Sequence, residues 1–183
     1  VSGKTKVDII VTPLVTIVTG GIVAYFVGPY LAMAMANLGE FIRVSTELQP
    51  FLMGVAVSVL MGIILTLPIS SAALSIILSL SGLAAGAATV GCSAQMIGFA
   101  VISFKANGWN GLLAQGLGTS MLQVPNIMRK PIIWLPPIVA SAILGPLATL
   151  VFKMQNNPAG GGMGTSGLVG QLMTWQTMSG QMD

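Results

Sequence analysis

The sequence predicts an all-α fold: a polytopic transmembrane helical bundle with broken and re-entrant helices. Three observations predict it. No charged residue occurs from Leu48 to Phe104, a run long enough for two bilayer crossings at about 20 apolar residues each. Charged residues make up only 6% of the 183-residue chain and hydrophobic residues 54%, against roughly 25% charged for an ordinary soluble domain. Mean hydropathy is +0.91. The medium is therefore a lipid bilayer, where only helices and closed barrels satisfy the backbone.

The elements follow in order. Ile9 to Tyr30 is a spanning helix after Lys4 and Lys6, loosened at its middle by Gly20-Gly21 and containing Pro13. Its apolar stretch is too long for a cleaved signal peptide, and no small-residue cleavage site follows. Leu31 to Gln49 carries Glu40, Arg43 and Glu47 three and four residues apart. Arg43 can there pair with both carboxylates on one helical face, opposite Leu38, Phe41, Ile42 and Leu48. This is either an interfacial amphipathic helix or a charge cluster facing a polar cavity.

Pro50 to Leu67 is the clearest spanning helix. Gly54, Ser58, Gly62 and Thr66 recur every fourth residue, a stripe of small side chains that lets helix backbones approach in lipid. Leu67-Pro68-Ile69-Ser70-Ser71 is the turn after it. From Ser70 to Phe104 one continuous helix would exceed ~45 Å, more than the roughly 30 Å hydrocarbon core. A break between Gly82 and Gly91, where glycine and alanine dominate, is the expected solution.

Gly111 to Met128 is too polar for lipid and too apolar for a tail. If helical, it places Gln115, Thr119, Gln123 and Asn126 on one face, and basic residues at both ends (Lys105, then Arg129-Lys130) suit a re-entrant element. Pro131 to Phe152 spans again, with Pro136-Pro137 and Gly145-Pro146 as kinks and Lys153 at its end. A glycine-rich stretch, Asn156 to Gly167, then reads as a flexible re-entrant or substrate-lining loop before an incomplete apolar segment. Residues 1–183 form one transmembrane domain, expected to be a piece of a longer chain.

Composition also excludes. There is no histidine, and Cys92 is the only cysteine, so the usual zinc sites, internal disulfides, a Ser-His-Asp triad and a phosphohistidine are all absent from the sequence. Cys92 reads as a small packing residue. The pI of about 9.4 comes from scattered cations, with no basic face and interleaved aromatics to track nucleic acid. Gly164-Thr165-Ser166-Gly167 lacks the lysine and the preceding strand of a phosphate loop. No metal and no cofactor are expected. The candidates that remain are neutral: Gln95, Gln115, Thr119, Gln123 and Asn126, with Glu47 as an internal carboxylate. Amides and hydroxyls both donate and accept, so they suit a polyhydroxylated ligand, and they serve equally as glue between helices.

Four stretches carry a resemblance: Thr46-Glu47-Leu48-Gln49-Pro50-Phe51-Leu52-Met53-Gly54, Leu67-Pro68-Ile69-Ser70-Ser71-Ala72-Ala73, Gly82 to Cys92, and Leu113 to Gln123. The chain resembles the bacterial phosphotransferase-system membrane subunits (EIIC-like), in the group that includes the perfringolysin regulator PfoR. The resemblance implies a multi-pass protein of the bacterial cytoplasmic (inner) membrane and a homodimer. It also implies a permease subunit that binds a small polar solute, most simply a sugar. A partner EIIB subunit would carry the phosphoryl group, so that this chain supplies only the membrane part of a protein-N(pi)-phosphohistidine–sugar phosphotransferase. Two rivals share the fold: a sensor or regulator that binds without phosphorylating, and a secondary transporter.

Overall fold

The computed structural model describes residues 8–180. Among them the fold is all-α, with no strand beyond an isolated bridge between Gly82 and Asn156. Three helical stretches are long and apolar enough to cross a membrane, Pro13–Thr46, Gly82–Ile102 and Pro131–Val151.

The chain divides into two compact units, Val1–Glu40 and Phe41–Asp183. The first consists of most of α1 (Asp8–Thr46). Ile17, Ile22, Tyr25 and Phe26 on it are exposed, and Tyr25 meets Phe26 edge-on with ring centroids 5.5 Å apart. Apolar side chains turned outward on every side are what a lipid-facing helix carries. Two segments were expected here, a spanning helix to Tyr30 and an amphipathic one from Leu31. The structure joins them: α1 runs unbroken through Gly20-Gly21 and Pro29 to Thr46. The Arg43 side chain, on which the expected ion pairs depend, lies outside the described residues, as do Lys4 and Lys6.

In the second unit, α2 (Pro50–Thr66), α4 (Gly82–Ile102) and α7 (Leu135–Pro146) pack on one another. The small-residue stripe of α2 is the seam. A Cβ on Gly54 would sit 3.0 Å from the Gly145 carbonyl of α7 and 2.7 Å from Thr149 Oγ1, and one on Gly62 2.8 Å from the Gly91 carbonyl of α4. Ser58 Oγ donates to the Ser141 carbonyl at 2.8 Å, and Ser141 Oγ to the carbonyl of Pro137 at 2.9 Å. Close approach gains dispersion contacts, and the hydroxyls satisfy themselves on backbone oxygens. Cys92 is fully buried, its thiol 3.4 Å from the Met61 carbonyl, in line with a packing role.

The break in the long segment lies earlier than expected. α3 (Ser71–Ile77) ends, Ser79 takes a left-handed conformation (φ 49°), and α4 then runs continuously from Gly82 to Ile102. Glycine and alanine between Gly82 and Gly91 thus do not interrupt the helix. They let it approach neighbours: a Cβ on Gly91 would overlap the Ser58 backbone, and one on Gly86 the Met154 carbonyl. In lipid, backbone closeness outweighs the low helix propensity of glycine.

Pro136 and Pro137 do not kink α7. They fall in its first turn, where a missing N–H costs no helical bond. After Gly145-Pro146 the helix relaxes into a π turn, Leu147–Val151. The glycine-rich stretch is not a free loop. It forms α8 (Pro158–Gly161) and a series of turns leading to α9 (Val169–Ser179), and Gly160, Gly161, Gly162 and Gly164 are all buried. Ser71 Oγ donates to the Gly162 carbonyl at 2.6 Å. Asn156, 1% exposed, anchors the whole: its Nδ2 donates to Thr89 Oγ1 (2.7 Å) and the Gly170 carbonyl (3.1 Å), and its Oδ1 accepts from Asn157 N (2.8 Å).

Candidate functional site

The polar segment after α4 is irregular for a reason written in its residues. α5 (Phe104–Leu113) carries Gly108 at φ 58°. A π turn follows over Ala114–Gly118, then extended Thr119, a 3-10 turn Ser120–Gln123, and α6 (Val124–Arg129) with Pro125 in its first turn. The single helical face expected for Gln115, Thr119, Gln123 and Asn126 therefore does not exist. The irregular path nonetheless brings three of the four together.

They form a directed chain. Asn126 Nδ2 donates to Gln123 Oε1 at 2.9 Å, Gln123 Nε2 to Gln115 Oε1 at 2.8 Å, and Gln115 Nε2 to Ser103 Oγ at 2.7 Å. Aligned amides polarise one another in this arrangement. Each amide nitrogen uses one of its two hydrogens along the chain, leaving capacity for a ligand. Gln115 and Gln123 are 3% and 6% exposed, while Asn126 is open.

Two clefts meet at this chain. One, of about 460 Å³, is lined by Phe99, Ser103, Asn107, Gln123, Asn126 and the cations Arg129 and Lys130, among others. The second, of about 480 Å³, is lined by Asn107, Asn110, Gln115, Gln123 and Asn126 with small apolar neighbours. Asn107, Gln123 and Asn126 border both. The arrangement offers neutral donors and acceptors in a space of small-ligand size, with fixed positive charge at one edge and no carboxylate in either lining. It suits hydroxyl recognition.

Thr119 stays outside the chain. Its Oγ1 accepts from Met121 N at 3.1 Å and caps the 3-10 turn. Gln95 belongs to a separate buried cluster on α4. Trp134 Nε1 donates to Gln95 Oε1 at 3.1 Å, Thr66 Oγ1 approaches the same oxygen at 3.5 Å, and Thr66 Oγ1 and Ser120 Oγ lie 3.0 Å apart. Glu47 lies in the turn between α1 and α2 and is exposed. It sits at the end of α2 opposite Thr66, about 25 Å away at 1.5 Å per residue, so the structure does not bring it to the amides.

Sequence reasoning missed Ser103, Asn107 and Trp134. Ser103 ends α4 inside an apolar run and gives no polar pattern of its own. Asn107 was legible as part of Asn107-Gly108-Trp109-Asn110, a cluster of turn-forming residues. For Trp134 the available signal was that an indole N–H is donor-only, because a half-buried one needs an acceptor nearby.

Comparison with known proteins gives one result of substance. The family model described as "Phosphotransferase system, EIIC" matches residues 1–182. No curated protein and no solved structure matches the chain. The chain belongs to the phosphotransferase-system EIIC family, and so is a membrane subunit of the permease type whose system includes a partner such as EIIB.

Proposed function

We propose that this EIIC-family chain binds and translocates a small polar solute, a sugar, as the membrane subunit of a phosphoenolpyruvate-dependent system, with the amide cleft as its solute site. The observation that carries the reading is the Ser103–Gln115–Gln123–Asn126 chain lining two joined clefts. Gln115, Gln123 and Asn126 are its solute-binding residues. Thr119 acts as a cap and Glu47 stands apart from the cleft.

Arg129 and Lys130 give the cleft a direction. Basic flanks favour the cytoplasmic side, which is where a phosphorylated EIIB would approach. There the phosphoryl group would pass from the EIIB cysteine sulfur to a sugar hydroxyl oxygen: the S–P bond breaks, an O–P bond forms, and the hydroxyl proton passes to the departing cysteine sulfur. Two cations at the mouth would offset the charge of the transferring group. Within the family we assign the chain to the group that includes the perfringolysin regulator PfoR, on the four stretches that carry that resemblance. We assign it to the bacterial cytoplasmic (inner) membrane as a homodimer. That same assignment favours a second reading, a sensor that binds the solute without phosphorylating it.

Vesicles containing the full-length protein separate the readings. With phosphorylated EIIB enclosed in the lumen, the permease accumulates an externally added labelled sugar as its phosphate, and without EIIB it accumulates none. Binding with neither uptake nor phosphorylation would mean a sensor, and accumulation of unmodified sugar a secondary transporter.

A further inference from the structure

Gln95 is fully buried, yet its Nε2 has no hydrogen-bond partner among the described residues. The orientation of this amide is fixed by chemistry. Trp134 Nε1 can only donate, so the oxygen must face it and the NH2 group must face elsewhere. Buried polar groups almost always find partners, and one that does not calls for an explanation. Here the donor needs an acceptor that the described residues do not offer.

The surroundings say what kind. Gln95 lies one helical turn from Phe99 on the same face of α4, and Phe99 lines the amide cleft while being 1% exposed. Trp134 directly follows Ile133, another cleft-lining residue, and Ser120 sits three residues before Gln123. Gln95, Trp134 and Ser120 thus each lie within a few residues of a cleft-lining side chain, and Thr66 joins them from the end of α2. The cluster contains an orphan amide donor, a hydroxyl pair (Thr66 and Ser120, 3.0 Å apart) and a half-buried indole. Hydroxyls together with an apolar ring face are the complement of a sugar's hydroxylated edge and C–H face.

We infer that Gln95, Thr66, Ser120 and Trp134 form an inner solute subsite, separated from the amide cleft by the Phe99 ring, in which Gln95 Nε2 donates to a solute hydroxyl oxygen. The inference rests on the reading of the amide cleft as the solute site. It adds an order of events: solute meets the amides first and reaches Gln95 when the Phe99 ring moves aside. It also gives the Trp134 indole a reporting role, because solute entry changes its surroundings.

The test uses the full-length protein in detergent and a panel of unmodified pentoses, hexoses and disaccharides, taking the sugar that raises the wild-type Tm most. In Q95M/W134F both partners of the buried hydrogen bond become apolar, which leaves no unpaired group and should keep Tm near wild type. The Kd for that sugar should rise at least about tenfold, the loss of one or two hydrogen bonds. An unchanged Kd in Q95M/W134F, with Gln115→Ala weakening binding, would overturn the inner subsite and leave the amide cleft standing. Failure of every sugar to shift the wild-type Tm would overturn the cleft reading and this one with it. Should the double variant not fold, Ser120→Ala serves, since Thr66 keeps its bond to the Gly62 carbonyl. A Kd raised about threefold or more supports the subsite, and an unchanged Kd overturns it.

Discussion

Asn156 and Gln95 are both buried neutral amides within the same unit, and both bond to α4 or lie on it. They are used differently. Asn156 employs its whole amide: two bonds from Nδ2 and one to Oδ1, tying the glycine-rich stretch to Thr89 and Gly170. Gln95 employs its oxygen alone. The same contrast separates two regions. Along the seam of α2, α4 and α7, the serine and threonine hydroxyls end on backbone carbonyls. Between α5 and α6, the amides bond head to tail and retain hydrogens facing a cleft. Residue type therefore does not distinguish glue from binding site; spare hydrogen-bonding capacity beside open volume does.

The largest expected effect falls on the seam. Gly62→Leu forces a side chain into the Gly91 backbone and the Gln95 stem. It should cost about 3 kcal/mol or more, or prevent folding, seen as a collapse of Tm in detergent. A wild-type Tm would mean that the seam is not tightly packed. Next comes Asn156→Ala, which removes three bonds at once and leaves Asn157 N without its acceptor, while Thr89 Oγ1 keeps the Ala85 carbonyl and the Gly170 carbonyl keeps Thr174 Oγ1. A loss of roughly 2–4 kcal/mol is expected, with affinity for a solute unchanged. Loss of affinity with stability intact would erase the distinction between the two amides. Thr119→Val removes a cap from a 3-10 turn and should cost about 1 kcal/mol or less, without change in binding, as thermal melts and equilibrium binding would show.

How far the sequence could be read follows the same division. The membrane, the all-α class and the Gly54–Ser58–Gly62–Thr66 seam were legible, because lipid imposes hydropathy and small-residue spacing directly. Helix interruptions were not. Gly82 to Gly91 looked like a break but is a contact surface, since a membrane helix tolerates glycine where a neighbouring backbone fills the space. The true break at Ser79 depends on a left-handed serine, which no local pattern announces. Gln115, Gln123 and Asn126 were grouped on the premise of one helical face, and their side chains do bond to one another, by a different route. A regular helix was assumed, whereas a π turn and a 3-10 turn do the gathering. Thr119 was lost for that reason, and Glu47 because chain proximity to α2 says nothing about which end of it faces the cleft.

The smallest expected change in stability belongs to the residues on which the functional reading depends. Gln115→Ala and Gln123→Ala border open clefts, where water can take the place of a lost partner, so each should stay within about 1 kcal/mol of wild type. Measuring Tm and sugar affinity on the same two variants, with the full-length protein in detergent, tests the central claim. Affinity reduced about tenfold at nearly constant Tm is the result predicted for a solute site. A large fall in Tm with affinity unchanged would contradict it, and would make these amides a second set of helix fastenings like Asn156.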